Sequence, residues 1–219
     1  LGSLDPGRME ERALMDLVER RLTLVPSTSY VGDVELLIGE VGRDEPMALI
    51  VAGIHGDEGP WGAWAIRKLL EGVSGEELFG SLRVVPVTNP TAMEADSRVS
   101  PLDHLDLNRV FPGDPQGSHT ERLSAILVEE ALDGVKFVFD LHGGGSWCVN
   151  SFAFAFPNSE VLAEAFDPPF LVERAVREGS MTGYAQGEGS RVVAVEMGGK
   201  SKNEEIWADR IAQGLKRAL

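Results

Sequence analysis

Two of the four histidines, His55 and His142, each stand directly before a glycine at the end of an apolar run that predicts a strand. Glu58 follows His55 by three residues, so one turn after the strand could direct both side chains at a single ion. Zinc prefers imidazole nitrogen and carboxylate oxygen, and a catalytic zinc site keeps one position for water. We therefore predict one zinc ion per chain, held by His55, Glu58 and His142. On the spacing of His55 and Glu58 alone, hydrogen-bonded structural histidines are the favoured interpretation. The second strand-end histidine, His142, and the three glycines after it make the two interpretations equally good.

Two further carboxylates could serve such a site. Glu196 lies inside an apolar strand, where a charge is costly unless it is paired or close to a metal. We predict that Glu196 is a general base that takes a proton from metal-activated water, with an ion-paired glutamate at a strand end as the alternative. Asp140 precedes His142 by two residues, so both side chains lie on one strand face, where Asp140 could orient the imidazole. Burial of Asp140 against another donor is equally plausible.

An anionic substrate would need a local cationic pocket, because the chain has a formal net charge of −15. Arg98 and Arg109 could form one, since a guanidinium fits a carboxylate with two hydrogen bonds. The residues alone favour the alternative of two surface salt bridges. The same net charge argues against nucleic acid and anionic membranes as partners.

The chemical residues must be positioned by the elements that end beside them. Strands are predicted at 34–41, 47–54, 82–88, 135–141, 151–156 and 191–197. Helices are predicted at 8–21, 61–71, 120–132, 159–166, 170–178 and 204–219. Strands that alternate with helices indicate an α/β layer fold with a mixed, mostly parallel sheet, and such sheets bind ligands outside the carboxyl ends of their strands. The polar clusters after 47–54 and 135–141 and around Glu196 are therefore expected to meet.

The chain has 219 residues, 43% of them hydrophobic and 25% charged, which is typical of one globular domain. Its single cysteine, Cys148, cannot form an internal disulfide. The first twenty residues are polar and charged, so we find no signal peptide or membrane-spanning run. A cytoplasmic location is the simplest expectation.

Four ordered motifs resemble those of a known family. Residues 53–58 (GIHGDE) resemble the Gly-x-His-Gly-x-Glu motif of the aspartoacylase and succinylglutamate desuccinylase family, a branch of the zinc carboxypeptidase superfamily. Residues 106–113 (DLNRVFPG) resemble its Asp-Leu-Asn-Arg signature, including the Phe-Pro-Gly of its predicted bacterial and archaeal deacylases. Residues 140–144 (DLHGG) resemble the strand of the third ligand, and 195–199 (VEMGG) the segment of the catalytic glutamate.

The resemblance implies a role for each candidate residue. The three zinc ligands would be those predicted above, and Glu196 would be the general base and then the acid to the leaving amine. Arg98 would polarise the scissile carbonyl and steady the oxyanion. Asn108 and Arg109 would hold the carboxylate of a small-molecule substrate. The implied fold is a three-layer α/β/α sandwich around a mixed sheet of about eight strands, as in the zinc carboxypeptidases.

The leading functional hypothesis is hydrolysis of the amide bond in an N-acyl amino acid. One alternative is a zinc carboxypeptidase acting on short peptides or muropeptides, and another is a zinc-binding domain that has lost catalysis. Family members usually carry a C-terminal β-rich domain after the catalytic glutamate, whereas only 23 residues follow Glu196 here. We therefore expect residues 1–219 to be one catalytic domain without that β-rich domain.

Overall fold

Eight strands form the core of the part of the chain that is described in a computed structural model. The structure describes residues 17–25, 34–42, 44–73, 78, 80–145, 148–200 and 203–219. The strands are β1 (Val18–Val25), β2 (Val34–Val41), β3 (Met47–Ala52), β4 (Ser81–Val85), β5 (Val135–His142), β6 (Asn150–Ala155), β7 (Phe170–Glu173) and β8 (Arg191–Gly198).

Six α-helices are present among the described residues. They are α1 (Trp61–Glu71), α2 (Pro90–Glu94), α3 (His119–Leu127), α4 (Glu160–Glu164), α5 (Met181–Gly187) and α6 (Glu204–Ala218). Short 3₁₀ turns cover Gly56–Glu58 and Leu107–Arg109, and a π-helical turn, Val128–Leu132, continues α3. No helix among the described residues is long and apolar enough to cross a membrane.

The strands form one mixed sheet in the order β1-β2-β4-β3-β5-β8-β6-β7. The central strands β4, β3, β5 and β8 run parallel to one another. The pairs β1–β2, β2–β4 and β6–β8 are antiparallel, and β7 adds a parallel edge to β6. The predicted mixed sheet of about eight strands is therefore confirmed.

The central strands are mostly apolar because helices cover both faces of the sheet. Side chains alternate between faces along a strand, so Ile50 of β3 packs on one side and its neighbour Leu49 on the other. On the first side lie α1 and α6, represented by Leu69 and Ile211. Helices α3 and α5 cover the opposite side. The three-layer arrangement expected for the fold is thus present.

The parallel strands place three chain segments at one edge of the sheet. Strands β3, β5 and β8 are consecutive neighbours, so their carboxyl ends lie side by side. The last residue of β5, His142, is paired in register with Glu196 of β8. His55 follows the end of β3 by three residues. The sheet alone therefore brings these predicted site residues to one place.

Two helix predictions are wrong in part or in full. Residues 18–21 lie in β1 rather than in the predicted helix 8–21, whose first nine residues fall outside the described part of the chain. Residues 170–173 form β7, not a helix, because pairing with β6 decides the conformation of this short segment. The sequence patterns do not predict helix α5. In contrast, α1 has the predicted bounds, 61–71.

Candidate metal centre and substrate pocket

Three buried side chains converge at the carboxyl edge of the sheet. The Nδ1 atom of His55 lies 2.7 Å from Oε1 of Glu58, and the Nδ1 atom of His142 lies 3.2 Å from Oε2 of the same carboxylate. The candidate ligand atoms of these three residues all lie within 4.8 Å of one another. The rings of His55 and His142 are 5.0 Å apart between centroids. Atoms this close can share one ion at metal–ligand distances of about 2 Å.

Each imidazole has a carboxylate on the side away from this cluster. The Nε2 atom of His55 lies 3.1 Å from Oδ1 of Asp106, and the Nε2 atom of His142 lies 3.0 Å from Oδ2 of Asp140. Asp140 is 1% exposed and neither of its oxygens has a hydrogen bond of good geometry among the described residues. A carboxylate behind a histidine fixes the ring and directs the other nitrogen at a metal. The donor set therefore fits a metal ion bound by both Nδ1 atoms and Glu58.

The charges of the cluster compensate one another. Burial raises the pKa of Glu58, but the neighbouring His142 and His55 outweigh this effect and lower the pKa to about 2. Burial likewise lowers the pKa of His142, and the carboxylates of Asp140 and Glu58 raise it well above its ordinary value. Each charged group of the cluster thus faces a group of opposite charge, which offsets the cost of its burial.

The turn that carries His55 and Glu58 is held tightly by its surroundings. The backbone N–H groups of Gly56 and Asp57 both donate to the carbonyl of Ser97, at 2.9 and 3.3 Å. A Cβ atom on Gly56 would lie only 1.9 Å from the carbonyl oxygen of Ala92 in α2, so glycine is required there. The indole N–H of Trp61 donates to the carbonyl of Glu58 at 2.8 Å. These contacts fix the turn from both sides and with it the two proposed ligands.

Glu196 lies beside the cluster on β8. Asn150 at the start of β6 donates an amide hydrogen to its Oε2 atom at 3.0 Å, which leaves Oε1 without a protein donor among the described residues. Burial raises the pKa of Glu196, and the charge of His142 only partly offsets this rise. A carboxylate with a raised pKa accepts a proton more readily, which is the property of a general base.

All eight predicted site residues line one cavity of about 370 Å³. They are His55, Glu58, Arg98, Asn108, Arg109, Asp140, His142 and Glu196. Arg98 donates to Oδ2 of Asp106 at 3.0 Å and reaches within 3.5 Å of Nδ1 of His55. The amide of Asn108 is held by the backbone N–H of Met181, which donates to its Oδ1 atom at 2.9 Å.

The arginines lie at the mouth of this cavity. Arg174 and Arg177, neither of which belongs to one of the four sequence motifs, join Arg98 and Arg109 there. Burial lowers the pKa of Arg109, and the positive charges of Arg177, Arg98 and Arg174 lower it further, against the opposing effect of Asp106. Among the described residues, no carboxylate lies within 4.0 Å of the guanidinium of Arg109, Arg174 or Arg177. Three cations of the described chain therefore face the cavity without a carboxylate partner.

The sequence does not identify four residues of this site, and each omission has a physical reason. Asp106 lies in a motif already noted, but its contact with His55 spans 51 residues of sequence and depends on the fold. Asn150 is at the start of β6 and carries no local signal. Arg174 and Arg177 follow β7, which was predicted as a helix, so their position at the cavity could not be deduced.

Comparison with known proteins agrees with this geometry. A family model described as the succinylglutamate desuccinylase/aspartoacylase catalytic domain matches residues 44–219. A curated protein, the N-alpha-acetyl-L-2,4-diaminobutyric acid deacetylase of Halomonas elongata, is 38% identical over 126 residues. That match covers 57% of this chain and 36% of the relative.

Two solved structures share the fold over nearly the whole chain. The product-bound ectoine utilization protein EutE from Ruegeria pomeroyi is 29% identical, with a TM-score of 0.77 over 93% of this chain and 66% of that one. The succinylglutamate desuccinylase/aspartoacylase from Rhodobacter sphaeroides is 27% identical, with a TM-score of 0.79 over 93% of this chain and 64% of that one. The chain thus spans slightly less than two thirds of the length of these structures.

The close approach at Gly56 gives a testable prediction. We expect Gly56→Ala to lose bound metal and about 1–3 kcal/mol of stability, because the backbone of α2 blocks the added methyl group. Metal analysis and thermal unfolding measure both effects. Gly187→Ala is the control, since a Cβ atom at that position would have no neighbour within 4 Å. Wild-type metal content and melting temperature in the Gly56 variant would contradict the prediction.

Proposed function

Since the chain belongs to the succinylglutamate desuccinylase/aspartoacylase family, we propose that it is a zinc-dependent hydrolase that cleaves the amide bond of a small N-acyl amino acid. The observation that carries this proposal is the buried group of His55, Glu58 and His142 beside Glu196 in a cavity with a cationic mouth. The family model is described as a desuccinylase/aspartoacylase domain and the curated relative as a deacetylase, which supports hydrolysis of an acyl group. We propose that the catalytic unit is the single sheet and its covering helices.

Zinc is the metal that best matches the donor set. Two imidazole nitrogens and one carboxylate are the ligands of many catalytic zinc sites and leave one position open. A zinc ion held by these residues would supply Lewis acidity for water and for a carbonyl oxygen. Asp106 and Asp140 would keep both imidazoles oriented and raise their basicity.

Glu196 is proposed to move the proton. Its Oε1 atom is available, whereas Oε2 is held by Asn150, so one oxygen can accept a proton from the attacking water. The same carboxyl group would then donate that proton to the leaving amine, because the product is a free amine. The raised pKa of Glu196 suits both steps, since a stronger base holds the proton between them.

Arg98 and Asn108 are proposed to fix the substrate on opposite sides of the cleaved bond. Arg98 lies next to the metal ligands and is steadied by Asp106, so its guanidinium can donate to the developing oxyanion. Asn108 and Arg109, with the amide of Asn108 fixed by Met181, would hold the substrate carboxylate. The substrate is thereby oriented before the proton is transferred.

The two arginines of the cavity that have no role so far also suggest which amino acids the pocket accepts. Arg174 and Arg177 add two cations beyond the predicted carboxylate site, so we propose that the substrate carries a second anionic group. The curated relative is named for acetylated 2,4-diaminobutyric acid, whose side chain carries an amine. A free ammonium group would be repelled by the mouth of this pocket.

Two alternatives differ from the proposal in identifiable ways. A zinc carboxypeptidase would use the same metal chemistry but release an amino acid from a short peptide or muropeptide, so product analysis separates the two. A domain that binds zinc without catalysis would retain the metal and lack turnover. The presence of Glu196 and Arg98 beside an open position argues against it. The cytoplasmic location remains a prediction.

Metal content tests the zinc assignment. We expect about one zinc per chain by elemental analysis. Chelation should abolish hydrolysis, and added zinc should restore it. Glu58→Gln should lower the bound metal because it removes the central carboxylate. Full hydrolytic activity in metal-free protein would refute the proposal, whereas bound zinc without activity on any acylated amino acid or peptide would favour the silent domain.

Glu196→Gln tests the assigned base. We expect kcat to fall by about 10²–10⁴, because the amide cannot accept the proton, while zinc content stays unchanged. The assay follows free amine released from acetylated amino acids. Glu188→Gln is a matched control, since Glu188 is an exposed glutamate that does not line the cavity. Turnover at the wild-type rate in the Glu196 variant would rule out its role.

Arg177→Gln tests the second anion site. We expect KM for acetyl-aspartate to rise about tenfold, because one charge-assisted hydrogen bond is lost, whereas KM for acetyl-alanine changes little. Arg67→Gln is the control on an exposed arginine of α1. An equal change in KM for both substrates would show that Arg177 does not bind the charged side chain of the substrate.

A further inference from the structure

One loop, residues 97–109, supplies four polar groups to the proposed site. Arg98 stands near its start, and Asp106, Asn108 and Arg109 stand near its end. Its first residue is tied to the metal-ligand turn, because the carbonyl of Ser97 accepts both backbone N–H groups described above. This anchor lies at the metal end of the loop. In the other half of the loop, the backbone N–H of Met181 holds the amide of Asn108, and a further contact holds the residues before it.

Asp103 provides that contact. Its Oδ2 atom accepts the backbone N–H of Thr120 at 2.7 Å, and its Oδ1 atom accepts the Thr120 hydroxyl at 2.7 Å. Thr120 is 0% exposed and belongs to the first turn of α3. A carboxylate at a helix N-terminus is stabilised by the free N–H groups there. Burial raises the pKa of Asp103, but the hydrogen bonds from Thr120 outweigh this effect and lower it.

Asp103 lies in a closed turn formed by residues 100–105. The N–H of Ser100 donates to the carbonyl of Leu105 at 3.2 Å, and the N–H of His104 donates to the carbonyl of Ser100 at 2.9 Å. The hydroxyl of Ser100 lies 3.2 Å from that of Thr91 in a buried position. Asp103 stands near the tip of this turn, three residues before Asp106. Asn108 follows Asp103 by only five residues, so the position of Asp103 limits where Asn108 and Arg109 can lie.

We propose that Asp103 and Thr120 are positioning residues that clamp the substrate-binding half of loop 97–109 onto α3. This inference rests on the proposed function of Asn108 and Arg109 in holding the substrate carboxylate. Neither Asp103 nor Thr120 lines the cavity, so both act through the residues that follow Asp103. The metal end of the loop has its own anchor at Ser97, and Asp106 is held separately by His55 and Arg98. Loss of the clamp is therefore expected to weaken substrate binding and to leave metal binding in place.

Thr120→Val and Thr120→Ser form the decisive pair. Valine removes the hydroxyl donor at nearly constant shape, whereas serine retains it. We expect kcat/KM for acetyl-aspartate to fall about tenfold in Thr120→Val, mainly through KM, and to stay within about twofold of wild type in Thr120→Ser. Zinc should remain at about one per chain in both variants. Equal kinetics in the two variants, or a loss of zinc in the valine variant, would overturn the clamp.

Hydrogen exchange provides a readout that does not depend on activity. In Asp103→Asn and Thr120→Val, the amides of residues 98–109 should exchange faster, while those of β5 and β8 keep their wild-type protection. Unchanged exchange in the loop would also overturn the proposal. If wild-type protein hydrolyses no acylated amino acid, the proposed function fails, and the exchange measurement alone then decides whether the clamp exists.

Discussion

The carboxylate of Glu58 is the interaction on which the rest of the site depends. One of its oxygens contacts His55 in the same turn, and the other contacts His142, which stands 84 residues further along the chain. The backbone N–H of Gly143 also donates to Oε2, at 3.0 Å. A buried carboxylate is costly unless it is paired, so the surrounding elements must hold both imidazoles in place. The parallel alignment of β3, β5 and β8 does so.

Charge is arranged in layers around this point. Asp106 and Asp140 lie behind the two imidazoles, and Glu58 and Glu196 line the cavity. Four exposed arginines lie at the mouth of the cavity. Burial raises the pKa of Glu196, which lines the cavity. Arg109, at the mouth, lies near three other arginine side chains. In a chain of formal charge −15, such a local positive field attracts an anion that the remaining surface would repel. The layering thus favours an anionic ligand and prepares a proton acceptor within one cavity.

Much of this arrangement could be predicted from local sequence. The apolar runs of β3, β5 and β8 end at or near His55, His142 and Glu196, and the rule that ligands bind at the carboxyl ends of strands brought these residues together. What could not be predicted depends on contacts between distant segments. The pairing of Asp106 with His55 needs the course of a long loop, and the position of Arg174 needs β7, whose conformation is imposed by β6.

The proposed roles divide between the central strands and the connections around them. Residues proposed to bind the metal or move the proton stand on or next to central strands, where the strand register fixes their relative positions. Residues proposed to recognise the substrate, such as Arg109 and Arg177, stand on connections at the rim. Loops tolerate amino-acid substitutions far better than the sheet does. Proteins that share one reaction can therefore differ in the acylated amino acid that they accept. Under the proposed function, a relative named for an amine-bearing substrate and this chain, whose cavity is lined by arginines, would share one hydrolytic centre and differ in the charge of the substrate they accept.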